Sequence, residues 1–125
     1  MRDITIAMGT KHGVPAALLA ALSERGVEVV AGCLFPRIEG RVAHITVSDD
    51  QVDLATEVVV DQGAAVLDVR EVIVVPRQDR PSFAEMAKAI SDAGASVYIA
   101  YFGAEGEVVL GTSDLALAKE ALGLS

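Results

Sequence analysis

The stretch Ser23–Val29, SERGVEV, returns 68 positions later as Ser91–Val97, SDAGASV. Each copy reads as the last turn of a helix, a glycine that ends it (Gly26, Gly94) and the start of a strand. The same shift lays Ala21 on Ala89 and Ile6 on Val74. It runs without a gap from the first strand to the turn that follows the second. An internal duplication explains this, each copy being one supersecondary unit.

Working outward, residues 3–9, DITIAMG, alternate as a strand with Ile4 and Ile6 on one face. A loop at Lys11–Val14 leads into a helix with Pro15 in its first turn, where the missing N–H is not needed. Residues 27–35 read as a second strand, PRIEG as a turn, and 41–48 as a third strand. Ser48 or Asp49 caps a second helix that ends near Gly63. AAVLDV and REVIVV then form one bent strand or two consecutive ones. The order β-α-β-β-α-β is the ferredoxin-like, split βαβ arrangement of the α+β class. It predicts an antiparallel sheet with two helices on one face. The second copy repeats it with a helix over 82–93, strands over 95–102 and 107–112, and a helix over 113–122. The expected division is 1–69 and 70–125, the second repeat lacking its last strand. EVVAGCLF, EVIVV and EVVL are apolar on both faces, whereas a sheet with one wet face alternates. A second face or an edge is therefore expected to be buried, within the chain or in a homodimer or higher oligomer.

The 125 residues are 52% hydrophobic and 22% charged, which suits a folded core. The longest apolar run, Val14–Leu22, is too short for a membrane span. The first residues lack the apolar core of a signal peptide. With Cys33 as the single cysteine, no internal disulfide forms and a cytoplasmic location is expected. The net charge of −8 and the absence of Trp argue against nucleic acid.

Two readings of DRPSFAE stand side by side. Ser82 and Glu85 form a capping box after Pro81. The helix start could instead hold a carboxylate while Asp79 receives an ammonium group, the two charges of an amino acid. GTKHGVPA is the counterpart in the first copy. Its glycines allow close backbone approach, and Lys11 and His12 could meet an anion, or the loop is simply flexible and polar. Cys33, His12 and His44 match no zinc spacing. His44 lies on the strand face opposite Ala43, Ile45 and Val47, in a structural role or lining an interface or pocket. Tyr98 and Tyr101 lie on opposite faces of one strand, and one of them could wall a pocket beside Asp79–Ser82. No Walker loop, G-x-G-x-x-G, H-E-x-x-H or G-x-S-x-G occurs, and no catalytic constellation is recognised.

With Asp79-Arg80-Pro81 after an apolar strand, VIVVPRQDRPSFAEMAKAISDAGASVYIAY resembles the ligand loop and helix of ACT domains. GVEVVAGCLFPRIEGRVAHITVSD resembles the stretch after the first helix of small tandem ACT proteins. The resemblance covers nearly the whole chain. It implies a non-enzymatic regulatory module, without cofactor or metal, that binds a small ligand of the amino-acid class. It places ligand contacts at Lys11, His12, Gly13 and Val14, and at Asp79, Arg80, Pro81, Ser82 and Phe83, closed by a neighbouring repeat or subunit. Tyr101 joins this set as a wall of the second site. Three departures stand out. Ser82 replaces the usual Gly, Lys11-His12-Gly13 replaces D-R-P, and the second unit is one strand short. The first two departures favour an alternative, a ligand-free interaction or oligomerisation module. A small enzyme on the same scaffold is a third reading, without a nucleophile, base or metal set to support it.

Overall fold

Strict alternation over Arg2–Met8 sets one face of the first sheet, and everything else in that half packs to match it. A computed structural model describes residues 1–124. The chain divides into two compact units, Met1–Arg70 and Glu71–Ser125.

The first unit runs β1 (Arg2–Met8), α1 (Val14–Glu24), β2 (Ala31–Pro36), β3 (Arg41–Val47), a 3-10 turn (Asp49–Gln51), α2 (Val52–Asp61) and β4 (Ala65–Glu71). Its strand order is β2-β3-β1-β4, as the ferredoxin-like reading requires. In the antiparallel register Ile4 faces Ile45 and Ile6 faces Ala43. These side chains meet Leu18 and Leu22 of α1 and Ala55, Val58 and Val59 of α2. Ile4, Ile6, Leu22 and Val59 are fully buried, each worth about 1.5–3 kcal/mol against exposure. Asp3, Thr5, His44 and Thr46 alternate onto the helix-free face. Asp3 and Thr46 are 0% exposed, so this face is not open to water there.

The second unit holds β5 (Ile73–Val75), α3 (Phe83–Asp92), β6 (Val97–Phe102), β7 (Val108–Thr112) and α4 (Leu115–Ala121). Its described strands pair in the order β5-β7-β6, antiparallel throughout. Ile73, Val75, Met86, Ile90, Val108 and Leu110 form its core.

The repeat quoted from the sequence has a hydrogen-bond signature. Gly26 N–H donates to Ser23 O and Val27 N–H to Leu22 O, at 3.1 and 2.9 Å. Gly94 N–H donates to Ser91 O and Ala95 N–H to Ile90 O, at 3.0 and 3.1 Å. Both are Schellman closures, with φ of 81° at Gly26 and 99° at Gly94, where a side chain would be strained.

Two boundaries differ from expectation. β2 starts at Ala31 rather than Val27, because Val27 N–H closes α1 and Glu28 N–H goes to Gln51 Oε1 at 2.9 Å. The helix expected from Ser48 or Asp49 opens as a 3-10 turn. Ser48 Oγ donates to Asp50 Oδ1 at 2.6 Å instead of capping the helix.

Candidate functional site

In the first unit the loop from Gly9 to Gly13 joins the end of β1 to the start of α1. Arg41 stands opposite Met8 in the β1–β3 register. Its guanidinium donates through Nη1 to Gly9 O (2.9 Å) and Lys11 O (3.2 Å), and through Nη2 to Thr10 O (3.2 Å). Three successive carbonyls on one charged fork hold this loop, so it is better ordered than a flexible polar loop. A glycine is required at position 40, since a Cβ there would collide with the Met8 carbonyl, and the hairpin turn thereby sits against the loop. Gly13 takes the left-handed conformation at the cap of α1. No side chain caps this helix, Pro15 brings no N–H, and its first turn carries no acidic residue. Lys11 and His12 are exposed and Val14 half-buried. The backbone at this helix start thus stays accessible, with two basic side chain types beside it.

The second loop is built differently. Asp79 is the one described non-glycine residue with positive φ, at 59°. Arg80 Nη2 donates to Gly106 O and Nη1 to Pro81 O, both at 3.2 Å. Its Nε is buried without a partner. Ser82 Oγ accepts from Glu85 N–H and donates to Glu85 Oε1, each at 3.1 Å. The cap expected at Ser82 is therefore made. It also uses one of the free N–H groups and brings a carboxylate to the helix start, which lessens that end's attraction for an anion. Phe83 packs against Phe102 with ring centroids 5.7 Å apart. Tyr101 precedes Phe102 on β6 and so points to the other face, where it is buried. A cleft of about 490 Å³ beside this loop is lined by Pro76, Arg77, Gln78, Glu105 and Glu107, and not by Tyr101.

Two features went unread in the sequence. The first is the pair on the helix-free face, where Nδ1 of His44 lies 3.0 Å from Oδ2 of the fully buried Asp3. Thr5 Oγ1 donates to the same carboxylate at 3.1 Å, and the His44 ring stacks on Phe35 at 6.1 Å. The second is a cavity of about 340 Å³ in the first unit, between α1 and the β2–β3 hairpin. Met8, Pro15, Leu18, Leu19, Gly32 and Leu34 are among its walls. Its sequence signal was Gly32 inside an otherwise apolar strand. Burial pushes the neighbouring Cys33 thiol above its ordinary value, partly opposed by a hydrogen bond with the His44 backbone, so the thiol stays neutral. Among the described residues no three His, Cys, Asp or Glu side chains cluster to hold a metal ion. No described helix is long and apolar enough to cross a membrane.

No protein-family model matches the chain, and no curated protein matches it. Solved structures do. Protein BT0572 from Bacteroides thetaiotaomicron aligns over 98% of this chain and 85% of its own, with 21% identity and a TM-score of 0.78. The ligand-free regulatory subunit of aspartate kinase from Thermus thermophilus aligns over 98% and 87%, with 21% identity and a TM-score of 0.70. The corresponding subunit from Thermus flavus aligns over 98% and 90%, with 19% identity and a TM-score of 0.66. At these identities the likeness establishes the fold alone, a two-repeat ferredoxin-like α+β arrangement.

Proposed function

We propose that this chain is a non-enzymatic regulatory module that binds a small molecule of the amino-acid class at its strand–helix loops. The observation that carries this reading is the first loop. Its backbone is fixed by Arg41, its helix start is open, and a cavity adjoins it. The fold it shares with regulatory subunits of aspartate kinase supports the same reading by analogy. Lys11, His12, Gly13 and Val14 form the first site, and Asp79, Arg80, Pro81, Ser82 and Phe83 the second. Asp79 supplies a carboxylate for an ammonium group. Tyr101, buried on the far face of β6, belongs to this second site as part of its supporting wall. Assembly as a homodimer or higher oligomer belongs to this proposal, because a ligand that binds one assembly state better shifts the equilibrium toward it.

A second reading rests on its own observation. Leu34, Phe35 and Ile38 are exposed along β2 and its turn, and the start of α3 is already capped. This favours a ligand-free interaction module.

A thermal-shift screen of the twenty amino acids in both enantiomers separates the two. A ligand at a hundred times its dissociation constant adds about 2.7 kcal/mol of stability. Stereospecific stabilisation by one or a few L-amino acids is the expected result. No shift with any of them would leave the interaction module as the better account.

A further inference from the structure

The cavity beside the first loop differs in chemistry from the cleft beside the second. The second is lined by Arg77, Glu105 and Glu107. No Lys, Arg, Asp or Glu lines the first. Met8, Pro15, Leu18, Leu19 and Leu34 are among the residues that line it. Gly32 also lines this space. A Cβ there would meet the His44 carbonyl at 2.9 Å, so the close pairing of β2 with β3 demands glycine. Gly32 stands opposite Ile45 in the register, and both line the cavity. At about 340 Å³ the cavity stands at the low end of the range for small-molecule sites, roughly 300–1,000 Å³. The neutral thiol of Cys33 adds no charge to it.

Two of these wall residues lead along the chain to the first loop. Met8 and Pro15 bracket the loop whose carbonyls Arg41 holds and whose Lys11 and His12 are exposed. A ligand that fits has a small charged head at the loop and an uncharged, apolar tail along Leu18, Leu19 and Leu34. A flat protein surface would leave a hollow of this shape unfilled, and among its lining residues only Cys33 and His44 carry a polar side chain to offset the hydration a charged tail would lose.

We infer that the first site selects an amino acid with an aliphatic side chain of about the size of leucine, over charged or short polar ones. This rests on the proposed function and names the ligand class for one of its two sites.

The test is calorimetric titration of the whole chain with L-leucine, L-lysine, L-aspartate and L-serine, repeated on two variants. Leu19 is 52% exposed, so Leu19→Lys alters the cavity wall with little cost to the fold, which an unchanged thermal melt verifies. Arg77→Ala alters only the second cleft. Expected are binding of leucine in preference to the other three, at least a tenfold loss with Leu19→Lys, and no loss with Arg77→Ala. Tighter binding of lysine, aspartate or serine would overturn the inference and leave the proposed function standing. So would leucine binding that Arg77→Ala abolishes and Leu19→Lys does not. Binding of none of these four, with no stabilisation by any of the twenty in the thermal-shift screen, would overturn both.

Discussion

Arg41 and Arg80 tie the same loop to the same turn in the two repeats, from opposite sides. Arg41 leaves the hairpin and reaches three loop carbonyls, Gly9, Thr10 and Lys11. Arg80 leaves the loop and reaches the hairpin carbonyl of Gly106. At the positions that would reciprocate, the first repeat has His12 and the second Glu107. The duplication has kept the tie and exchanged the residue that makes it. Arg41→Ala should therefore speed amide hydrogen exchange in the first strand–helix loop and cost about 1 kcal/mol of stability. It should also weaken amino-acid binding at that loop. Unchanged exchange there would show that the fork orders nothing.

Asp79 separates charge from conformation. Its φ of 59° is one that Asn also adopts readily. Asp79→Asn keeps the backbone and removes the charge. Calorimetry should show about a tenfold loss of amino-acid affinity at the second loop, the worth of one charge-assisted hydrogen bond, with the melting temperature unchanged. Unaltered affinity would remove Asp79 from the site.

The Asp3–His44 pair should prove structural. His44→Phe keeps the stack on Phe35 and leaves the buried Asp3 carboxylate without its imidazole. The expected cost is about 2 kcal/mol in urea unfolding, with amino-acid affinity retained. Loss of binding without loss of stability would place His44 in the ligand site instead.

Cys33 gives a pH dependence. Its folded pKa is raised above the ordinary 9.0, chiefly by burial. The fold therefore holds the thiol proton more tightly than the unfolded chain. The stability this adds is fully present below the ordinary thiol pKa and is lost as pH rises through the folded one. The stability difference between the wild type and Cys33→Ser should thus shrink above about pH 9, and Cys33 should react slowly with thiol reagents near neutral pH. A difference independent of pH across that window would contradict the assignment.

The fold was legible because its signals are local. Gly26 and Gly94 end their helices where the chain alone places them, and the alternation of Ile4 and Ile6 fixes a face without knowledge of any partner. What escaped needed register or volume. Asp3 and His44 meet only because β1 pairs with β3, and nothing in either segment announces it. The cavity at Gly32 depends on how close β2 lies to β3 and on where α1 crosses them. Val27 and Glu28 looked like strand from composition, and the helix closure and Gln51 took their N–H groups instead, while Val30 N–H already bonds to Thr46 O of β3. In the second loop the D-R-P residues were readable. That Ser82 and Glu85 already fill the helix start was visible as a capping box, and its consequence for an anion emerges from the geometry.

The most direct test of the central claim is an amide NMR titration of the ¹⁵N-labelled chain with each of the twenty L-amino acids. The account predicts saturable, stereospecific shifts that centre on residues 9–16 or 78–84, with the D-enantiomer silent. Shifts confined to the exposed segment at Phe35–Ile38, or no saturable shift with any amino acid, would contradict it.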